Sequence, residues 1–246
     1  MRYVLLAAAT VAGIAGSTAA RAVPGYSISG SVGGAPSGVT LENFDSLTPA
    51  IGGGGTTPSG IVVTSSPDAG VVEGGSSGLY APPYLSGGNG SGFGPGGTDQ
   101  ADGPDATPYL AAGSTSTYPG ASVTLSLPGT ERYLGLLWGS VDNYNMLSLY
   151  NGATLVGTIT GSDVIASPNG DQGVNGTVYV NITALDGAHA FDKVVMTSSQ
   201  YTFEMDNVAF NPSPVPEPAS LAVLGSAIVG LGFIRRRRAY AGRRSA

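Results

Sequence analysis

Two carboxylates near the end of the sequence, Glu204 and Asp206, have a spacing that suits metal binding. In a strand both side chains would point to one face, while Phe203 and Met205 would point to the other. Ca²⁺ prefers hard oxygen ligands, and acidic residues of the first strand could complete a set if the first and last strands pair. The segment therefore predicts a structural calcium site or, with equal weight, a solvated acidic strand face. The candidate calcium ligands are Glu42, Asp45, Glu204 and Asp206.

A second acidic group, Asp99, Asp102 and Asp105, spaces its carboxylates three residues apart in a stretch that contains Gly and Pro. This spacing does not match the EF-hand pattern. Because Asp, Gly and Pro are common turn residues, we prefer a solvated turn here to a weak calcium loop.

The segment Trp-Gly-Ser-Val-Asp-Asn-Tyr-Asn at 138–145 holds the one tryptophan of the chain and joins two predicted strands. Trp and Tyr rings stack on sugar faces, and Asp and Asn side chains bond sugar hydroxyls, so the segment is a candidate ligand loop. The structural interpretation, which we prefer, places Trp138 in the core and uses Asp142 or Asn143 to close a turn. The candidate ligand-binding residues are Trp138, Asp142, Tyr144 and Asn145.

Cysteine is absent from the sequence, and His189 is its one histidine. A disulfide scaffold, a zinc-thiolate site and a thiol nucleophile are therefore excluded. A serine triad would need His189, and no Gly-x-Ser-x-Gly motif accompanies it. A pair of carboxylates could hydrolyse a glycosidic bond, but no spacing in the sequence selects a pair. We therefore expect no enzyme activity and no catalytic residues, and an extracellular hydrolase is the least favoured alternative.

Charge is distributed unevenly along the chain. Between residues 23 and 214 two basic residues, Arg132 and Lys193, stand against fifteen acidic ones, a formal net charge of −13. The other eight basic residues lie in the two ends. An acidic surface repels nucleic-acid phosphates and suits divalent cations, so we expect no nucleic-acid partner and no certain cofactor beyond the candidate calcium.

Strand patterns predict an all-β fold. Residues 23–120 are rich in Gly, Ser, Pro and Thr, so long loops with short strands are expected there. Residues 121–210 show regular strands, and the run at 133–138 is apolar on both faces, which is typical of a central strand. Short strands separated by turns, without helices, favour an antiparallel β-sandwich or jelly roll with long Gly/Ser-rich loops.

Two hairpins are predicted in this second half. Asn151-Gly152 lies between two apolar runs, and both turn positions of such a pair usually need positive φ. Residues 191–197 and 201–210 are predicted to form the final hairpin of the domain.

The N-terminus has the three parts of a secretory signal: a positive Arg2, an apolar run from Val4 to Ala15, and the small residues Ala20 and Ala22 around a cleavage site. We expect a signal helix that signal peptidase removes after Ala22. An uncleaved anchor is the alternative, because Arg21 lies inside the site.

The C-terminus has an equally ordered pattern. A Pro-rich linker ends in Val215-Pro216-Glu217-Pro218, and an uncharged apolar run follows from Ala219 to Ile234. As a helix this run would be about 24 Å long, slightly short of a full membrane span. The arginines that follow would hold the end of a transmembrane helix on the cytoplasmic side. These arginines are Arg235, Arg236, Arg237 and Arg238.

The Pro-Glu-Pro motif, the apolar helix and the arginine cluster together resemble the PEP-CTERM sorting signal of bacterial exosortase substrates. The resemblance implies that an integral-membrane cysteine transpeptidase, the exosortase, cuts near the motif, and that the protein then reaches the cell surface or extracellular matrix. The segments at 132–152 and 203–207 are similar to a subgroup with Trp-Gly-Ser-x-Asp-x-Tyr-Asn and Phe-Glu-x-Asp-Asn segments. That similarity spans roughly residues 107–210 plus the tail and implies no molecular activity.

The parts combine into one expectation: an exported surface or matrix protein with a non-enzymatic structural or interaction role. The alternative is a carbohydrate-binding module for exopolysaccharide. Expected partners are signal peptidase, the exosortase and, before processing, the inner membrane. The predicted parts are a signal peptide (1–22), a β-sandwich domain (23–210), a linker with the sorting motif (211–218), a transmembrane helix (219–234) and a basic cytoplasmic tail (235–246).

Overall fold

The computed structural model describes residues 21–31, 33–113 and 120–215. These residues form strands and loops, with one α-helix of four residues, α1 (Gly161–Val164), and two 3₁₀ turns. The prediction of an all-β protein is confirmed. The predicted signal helix, transmembrane helix and basic tail lie outside the described residues, among which no helix is long and apolar enough to cross a membrane.

The strands of the described residues fall into a group of short ones and a group of longer ones. The first ten, two to six residues each, are β1 (Arg21–Val23), β2 (Tyr26–Ser31), β3 (Thr40–Glu42), β4 (Ala50–Ile51), β5 (Gly55–Thr56), β6 (Val62–Ser65), β7 (Ala69–Val72), β8 (Tyr84–Leu85), β9 (Gly103–Pro104) and β10 (Tyr109–Ala112). The last seven, seven to ten residues each, are β11 (Ser122–Glu131), β12 (Tyr133–Gly139), β13 (Asn145–Asn151), β14 (Thr154–Thr160), β15 (Val178–Ala184), β16 (Phe191–Ser198) and β17 (Phe203–Asn211).

Two antiparallel sheets carry most of these strands. The nine-stranded sheet has the order β1-β2-β15-β12-β17-β10-β7-β4, with β3 also paired to β17. The six-stranded sheet has the order β14-β13-β16-β11-β6-β5. From β10 onward successive strands change sheet at every step except between β13 and β14, so that β10-β17-β12-β15 faces β11-β16-β13-β14. This order is that of a jelly roll, two Greek keys in a two-layer sandwich.

The main core lies between the two sheets, because alternate side chains of each strand point inward. In β11, for example, Val123 and Leu125 are fully buried in this core, and in β16 Val194 and Met196 are. Strand β12 is buried along its whole length and lies between β15 and β17, as its apolar run predicts.

The outer face of the nine-stranded sheet is also buried. Residues 73–108, which we call the covering segment, contribute Leu85 and Phe93 to a second apolar cluster with Tyr133, Leu137 and Tyr179. The Gly- and Ser-rich half of the chain therefore builds a layer over the sheet as well as loops. Burying the outer face in this way explains why β12 needs apolar residues on both sides.

Of the two predicted hairpins, the one around Asn151-Gly152 is confirmed as β13 and β14, with its turn shifted by one residue. Asn151 is the last residue of β13 and pairs with Thr154, so Gly152 and Ala153 form the turn, and Gly152 carries the positive φ of 57°. The predicted hairpin of β16 and β17 is wrong: β16 pairs with β11 and β13, while β17 pairs with β12, β10 and β3 in the other sheet. Their connection crosses the sandwich, which a local apolar pattern does not reveal.

Candidate functional site

Strand β17 has polar residues on the face that lies under the covering segment. Phe203 and Met205 point into the main core, and Glu204 and Asp206 alternate with them on the outer face. A β-bulge then interrupts the strand: Asp206 pairs with Leu137 and Ala209 with Gly135, so two residues of β17 lie opposite one residue of β12. Asn207 at the bulge has a left-handed φ of 50°. Asp206 and Asn207 are both completely buried.

Three carboxylates from distant parts of the chain meet beside this bulge, and we call them the acidic cluster: Asp45, Asp105 and Asp206. Asp45 follows β3, which pairs with β17 as the calcium hypothesis requires. Asp105 follows β9 at the end of the covering segment and is 2% exposed. Asp105 acts electrostatically on both Asp206 and Asp45, and Asp45 acts on Asp206.

Several oxygens of the acidic cluster are free. Asp105 Oδ1 accepts hydrogen bonds from the Thr107 backbone N–H (2.9 Å) and hydroxyl (2.8 Å), and Asp45 Oδ2 accepts one from Asn43 Nδ2 (2.5 Å). Within the described residues, the other buried oxygens of the cluster have no hydrogen-bond partner. They are Asp45 Oδ1, Asp105 Oδ2 and Asp206 Oδ1 and Oδ2, together with Asn207 Oδ1.

The electrostatics of the cluster disfavour full ionisation. Burial raises the pKa of Asp206 well above its usual range, and the charge and close approach of the Asp105 carboxylate and the charge of Asp45 add to the rise. Burial also raises the pKa of Asp45, and the negative charges of Asp105 and Glu42 add to the rise. The arrangement is one that a proton or a cation would stabilise.

The two basic side chains between residues 23 and 214 form hydrogen bonds away from the acidic cluster. Arg132 Nη2 donates to the Ala184 carbonyl at 3.1 Å. Lys193 Nζ donates to the Gly152 carbonyl at 2.9 Å and lies over the Tyr150 ring, 4.6 Å from its centroid. Neither of these contacts is with a carboxylate of the acidic cluster.

The four predicted calcium ligands separate into two groups. Asp45 and Asp206 come together, whereas Glu42 and Glu204 bond to backbone and hydroxyl groups. Glu42 accepts from the backbone N–H groups of Phe44 (2.9 Å) and Ser59 (3.3 Å). Glu204 is not solvated; it is 2% exposed and accepts from the Ala81 N–H (3.0 Å) and the Ser140 hydroxyl. Burial raises the pKa of Glu204 to about 8, and these two hydrogen bonds limit the rise.

The loop carboxylates also differ in role. Asp99 Oδ1 accepts from the Gly92 N–H at 3.1 Å and closes a turn, and Asp102 is exposed, whereas Asp105 reaches the acidic cluster. The Asp-x-x-Asp spacing in the sequence does not distinguish the three, so Asp105 was not among the predicted ligands. Across the described ranges, no three or more His, Cys, Asp or Glu side chains are arranged with the geometry of a formed metal site.

A polar cleft of about 700 Å³ lies beside the predicted ligand loop, at the edge of the covering segment. Three tyrosines and several polar side chains line it, and we call it the tyrosine cleft. The side chains used below are Tyr80, Tyr144, Tyr201, Asp142, Asn169 and Gln172.

Two of the four predicted ligand-binding residues have structural positions. Trp138 is fully buried and stacks on Phe203, with 4.3 Å between ring centroids and 19° between planes. Asn145 is also fully buried; its Oδ1 accepts from the Asp142 N–H at 2.9 Å and closes the turn. Neither side chain has a face that a ligand can reach.

The other two, Asp142 and Tyr144, line the tyrosine cleft. The Tyr144 hydroxyl donates to Asp142 Oδ2, and burial raises the pKa of Asp142 while this hydrogen bond lowers it. The Tyr144 ring lies 6.1 Å from that of Tyr201, which is 60% exposed. Tyr201 was missed at the sequence level, although it directly precedes the Phe-Glu-x-Asp-Asn segment.

His189 lies in a surface turn. Its Nδ1 is 2.7 Å from Asp186 Oδ1, and its ring meets the edge of Tyr26 at 5.6 Å between centroids. Asp186 also accepts the backbone N–H groups of Ala188 and His189, so it caps the 3₁₀ turn Gly187–His189. The His189 and Asp186 pair thus has a turn-closing role.

The terminal motif residues lie almost entirely outside the described residues. Ala22 is in β1, which pairs with β2, and Ala20 is not described. Val215 packs against the second apolar cluster, so the folded body extends to the start of the sorting motif. Pro216, Glu217, Pro218, the run to Ile234 and Arg235–Arg238 are outside the described residues.

The fold and these sites define an all-β, two-sheet protein with an acidic body and a C-terminal sorting tail. The family model of the PEP-CTERM protein-sorting motif matches residues 214–238. The chain therefore carries the sorting signal of exported proteins that an exosortase processes and that reach the cell surface by way of the membrane.

Two further comparisons add little to this result. No curated protein matches the chain. Among solved structures, the K2 cleaved adhesin domain of Lys-gingipain is similar at a TM-score of 0.40 and 11% sequence identity, over 72% of this chain and 100% of that domain.

Proposed function

We propose that this chain is a non-enzymatic surface or matrix protein whose acidic β-sandwich is released from a temporary membrane anchor by an exosortase. The observation that carries the proposal is the sorting motif at 214–238, placed directly after the last strand of the body. Signal peptidase first removes the signal peptide by cutting after Ala22. The apolar run to Ile234 then holds the protein in the inner membrane, with Arg235–Arg238 on the cytoplasmic side, until the exosortase cuts.

The proposal is tested by replacing Pro216, Glu217 and Pro218 with alanine in the native host. We expect the variant to stay in the membrane fraction at full length, while the wild type is released without its arginine tail. The matched control replaces Pro212 with alanine, because this proline lies in the same linker but before the matched residues 214–238. Release of the motif variant at the wild-type level, or a mature protein that mass spectrometry finds with Arg243 attached, would contradict the proposal.

A second candidate function is carbohydrate binding in the tyrosine cleft, with exopolysaccharide as the ligand. The cleft supports it because Tyr144 and exposed Tyr201 offer ring faces, and Asp142, Asn169 and Gln172 offer hydrogen-bonding groups beside them. In this version Asp142 and Tyr144 of the predicted ligand set contact the sugar, and Trp138 and Asn145 support the loop from below.

Glycan binding by the purified protein tests this second function. Tyr201→Ala should weaken binding by about 2- to 12-fold, because an aromatic stacking contact contributes about 0.5–1.5 kcal/mol. Leu185→Ala, which changes another exposed side chain (61% exposed) away from the cleft, should bind like the wild type. If no polysaccharide binds, or if Tyr201→Ala binds like the wild type, the cleft is not a sugar site. The surface-protein role is then the one proposed function that is left.

A further inference from the structure

We propose that the acidic cluster binds a calcium ion, held by the carboxylates of Asp45, Asp105 and Asp206 and by Asn207 Oδ1. The ion would join three separate segments: the loop after β3, the end of the covering segment, and the bulge of β17. Calcium binding would therefore fix the covering segment on the outer face of the nine-stranded sheet.

The first argument is the set of free buried oxygens. Asp206 is fully buried and neither of its carboxylate oxygens has a hydrogen-bond donor among the described residues. One buried side-chain oxygen in each of Asp45, Asp105 and Asn207 also lacks a hydrogen-bond partner among the described residues. Buried polar groups are nearly always satisfied in native proteins, so several unsatisfied acceptors at one place indicate a missing positive partner.

The second argument is charge. Asp105 and Asp45 both act on Asp206 through their negative charges, and Arg132 and Lys193 are bonded elsewhere. An uncompensated buried carboxylate costs several kcal/mol, and here buried Asp105 and Asp206 lie together beside half-buried Asp45. A divalent cation removes this cost, whereas the apolar residues around the site cannot.

The chemistry of the donors selects calcium. All of the free atoms are carboxylate or amide oxygens, which are hard ligands, and no His or Cys is near that would favour zinc or copper. Mg²⁺ demands near-ideal octahedral geometry, whereas Ca²⁺ accepts irregular sets of six to eight oxygens drawn from loops. The Thr107 hydroxyl, which already bonds Asp105, is a further oxygen close to the site.

The carboxylates do not yet surround one point with metal-ligand geometry. Binding therefore requires the side chains of Asp45, Asp105 and Asp206 to move toward one point. The competing explanation is a proton shared between two carboxylates of the cluster, as in other close carboxylate pairs.

Thermal unfolding of the full-length protein in calcium and in EDTA tests the proposal. Calcium at about 100 times its Kd should raise the Tm by about 5–10 °C, because a ligand bound only to the native state stabilises it. Asp206→Asn should lose this shift. Asp102→Asn should keep it, since this control removes the same charge from the exposed part of the same loop.

A direct binding measurement separates the two explanations. Terbium, a luminescent calcium substitute, should bind the wild type and Asp102→Asn and be displaced by calcium, but should not bind Asp206→Asn. Equal Tm values in calcium and EDTA together with absent terbium luminescence would overturn the proposal in favour of a shared proton. An Asp206→Asn variant that still binds terbium as the wild type does would also overturn it. Sorting at the Pro-Glu-Pro motif does not depend on either outcome.

Discussion

Tryptophan is a residue type that often stacks on ligands, but the environment of Trp138 is that of a core residue. Its ring is fully buried, stacks on Phe203, and belongs to the cluster between the two sheets. Its neighbours in the 138–145 segment, Asp142 and Tyr144, are the ones that reach the cleft. A loss of sugar binding on changing Trp138 would therefore report on folding and not on contact with the ligand.

Replacing Trp138 with alanine should lower the free energy of unfolding by about 3–5 kcal/mol, because the change leaves a large cavity in a close-packed core. Urea denaturation followed by circular dichroism measures the difference. Met146→Ala is the control, since Met146 lies nearby in β13 and is 36% exposed. A cost below about 1 kcal/mol for the Trp138 variant would contradict its burial.

Glu131 is a second informative residue, because it is 4% exposed and its Oε2 has no hydrogen-bond partner among the described residues. Burial raises the pKa of Glu131. The folded protein then binds this proton more tightly than the unfolded chain, so stability is greatest below the ordinary pKa of Glu and falls as the pH rises through the raised pKa.

Glu131→Gln should therefore be more stable than the wild type at pH 7, and the two proteins should converge in stability as the pH falls toward 4. Urea denaturation at several pH values measures this difference. Glu73→Gln, at an exposed position, should not show the pH-dependent gain. A Glu131 variant that is less stable than the wild type at pH 7 would show that the carboxylate has a partner in solution.

At the scale of the elements, the strands from residue 121 onward could be predicted because their apolar residues alternate or run continuously. Strands β2 and β10 were missed: Tyr26–Ser31 mixes small polar residues with two apolar ones, and Tyr109–Ala112 is short. The hairpin of β16 and β17 was predicted wrongly, since a local pattern does not specify which sheet a strand joins. Of the four predicted calcium ligands, Asp45 and Asp206 come together through the predicted pairing of β3 and β17. The third carboxylate of the acidic cluster, Asp105, lies in a loop, and a strand pattern does not predict where a loop residue will lie.

The loop that supports the tyrosine cleft depends on glycines packed against backbone. A Cβ on Gly161, the first residue of α1, would lie 2.0 Å from the Asp142 carbonyl oxygen. Gly161→Ala should therefore push the 140–145 loop away from α1 and cost about 1–3 kcal/mol of stability, as overpacking usually does.

Chemical denaturation measures this cost, and Gly187→Ala is the matched control, because a Cβ there meets nothing within 4 Å. The Gly187 variant should change stability by less than about 0.5 kcal/mol. Equal effects of the two substitutions would show that the close approach of Gly161 to Asp142 is not a packing constraint.

For the whole molecule, the dominant feature is the separation of charge between the body and the two ends. Residues 23–214 have a formal net charge of −13, and eight of the ten basic residues lie outside them. Like charges on a compact body repel one another and oppose folding, and salt screens this repulsion.

Raising NaCl from about 10 mM to 300 mM in EDTA should therefore raise the Tm of the protein, because the Debye length falls from about 30 Å to below 8 Å. Differential scanning calorimetry measures the change. Sucrose, which also favours compact states but does not screen charge, separates the two effects when added at low salt. A Tm that does not depend on NaCl would mean that the acidic residues are spaced too widely to repel.

The position of β17 in the chain has a consequence for biogenesis. This strand is the last of the body, yet it forms the middle of the nine-stranded sheet and supplies the Glu204 and Asn207 contacts that fasten residues 73–108. While the polypeptide crosses the membrane, β3, β10 and β12 lack a partner strand until β17 has followed them. Native structure can be completed only after the residues just ahead of the sorting motif have been translocated, because the central sheet depends on pairing between β17 and strands far earlier in the chain.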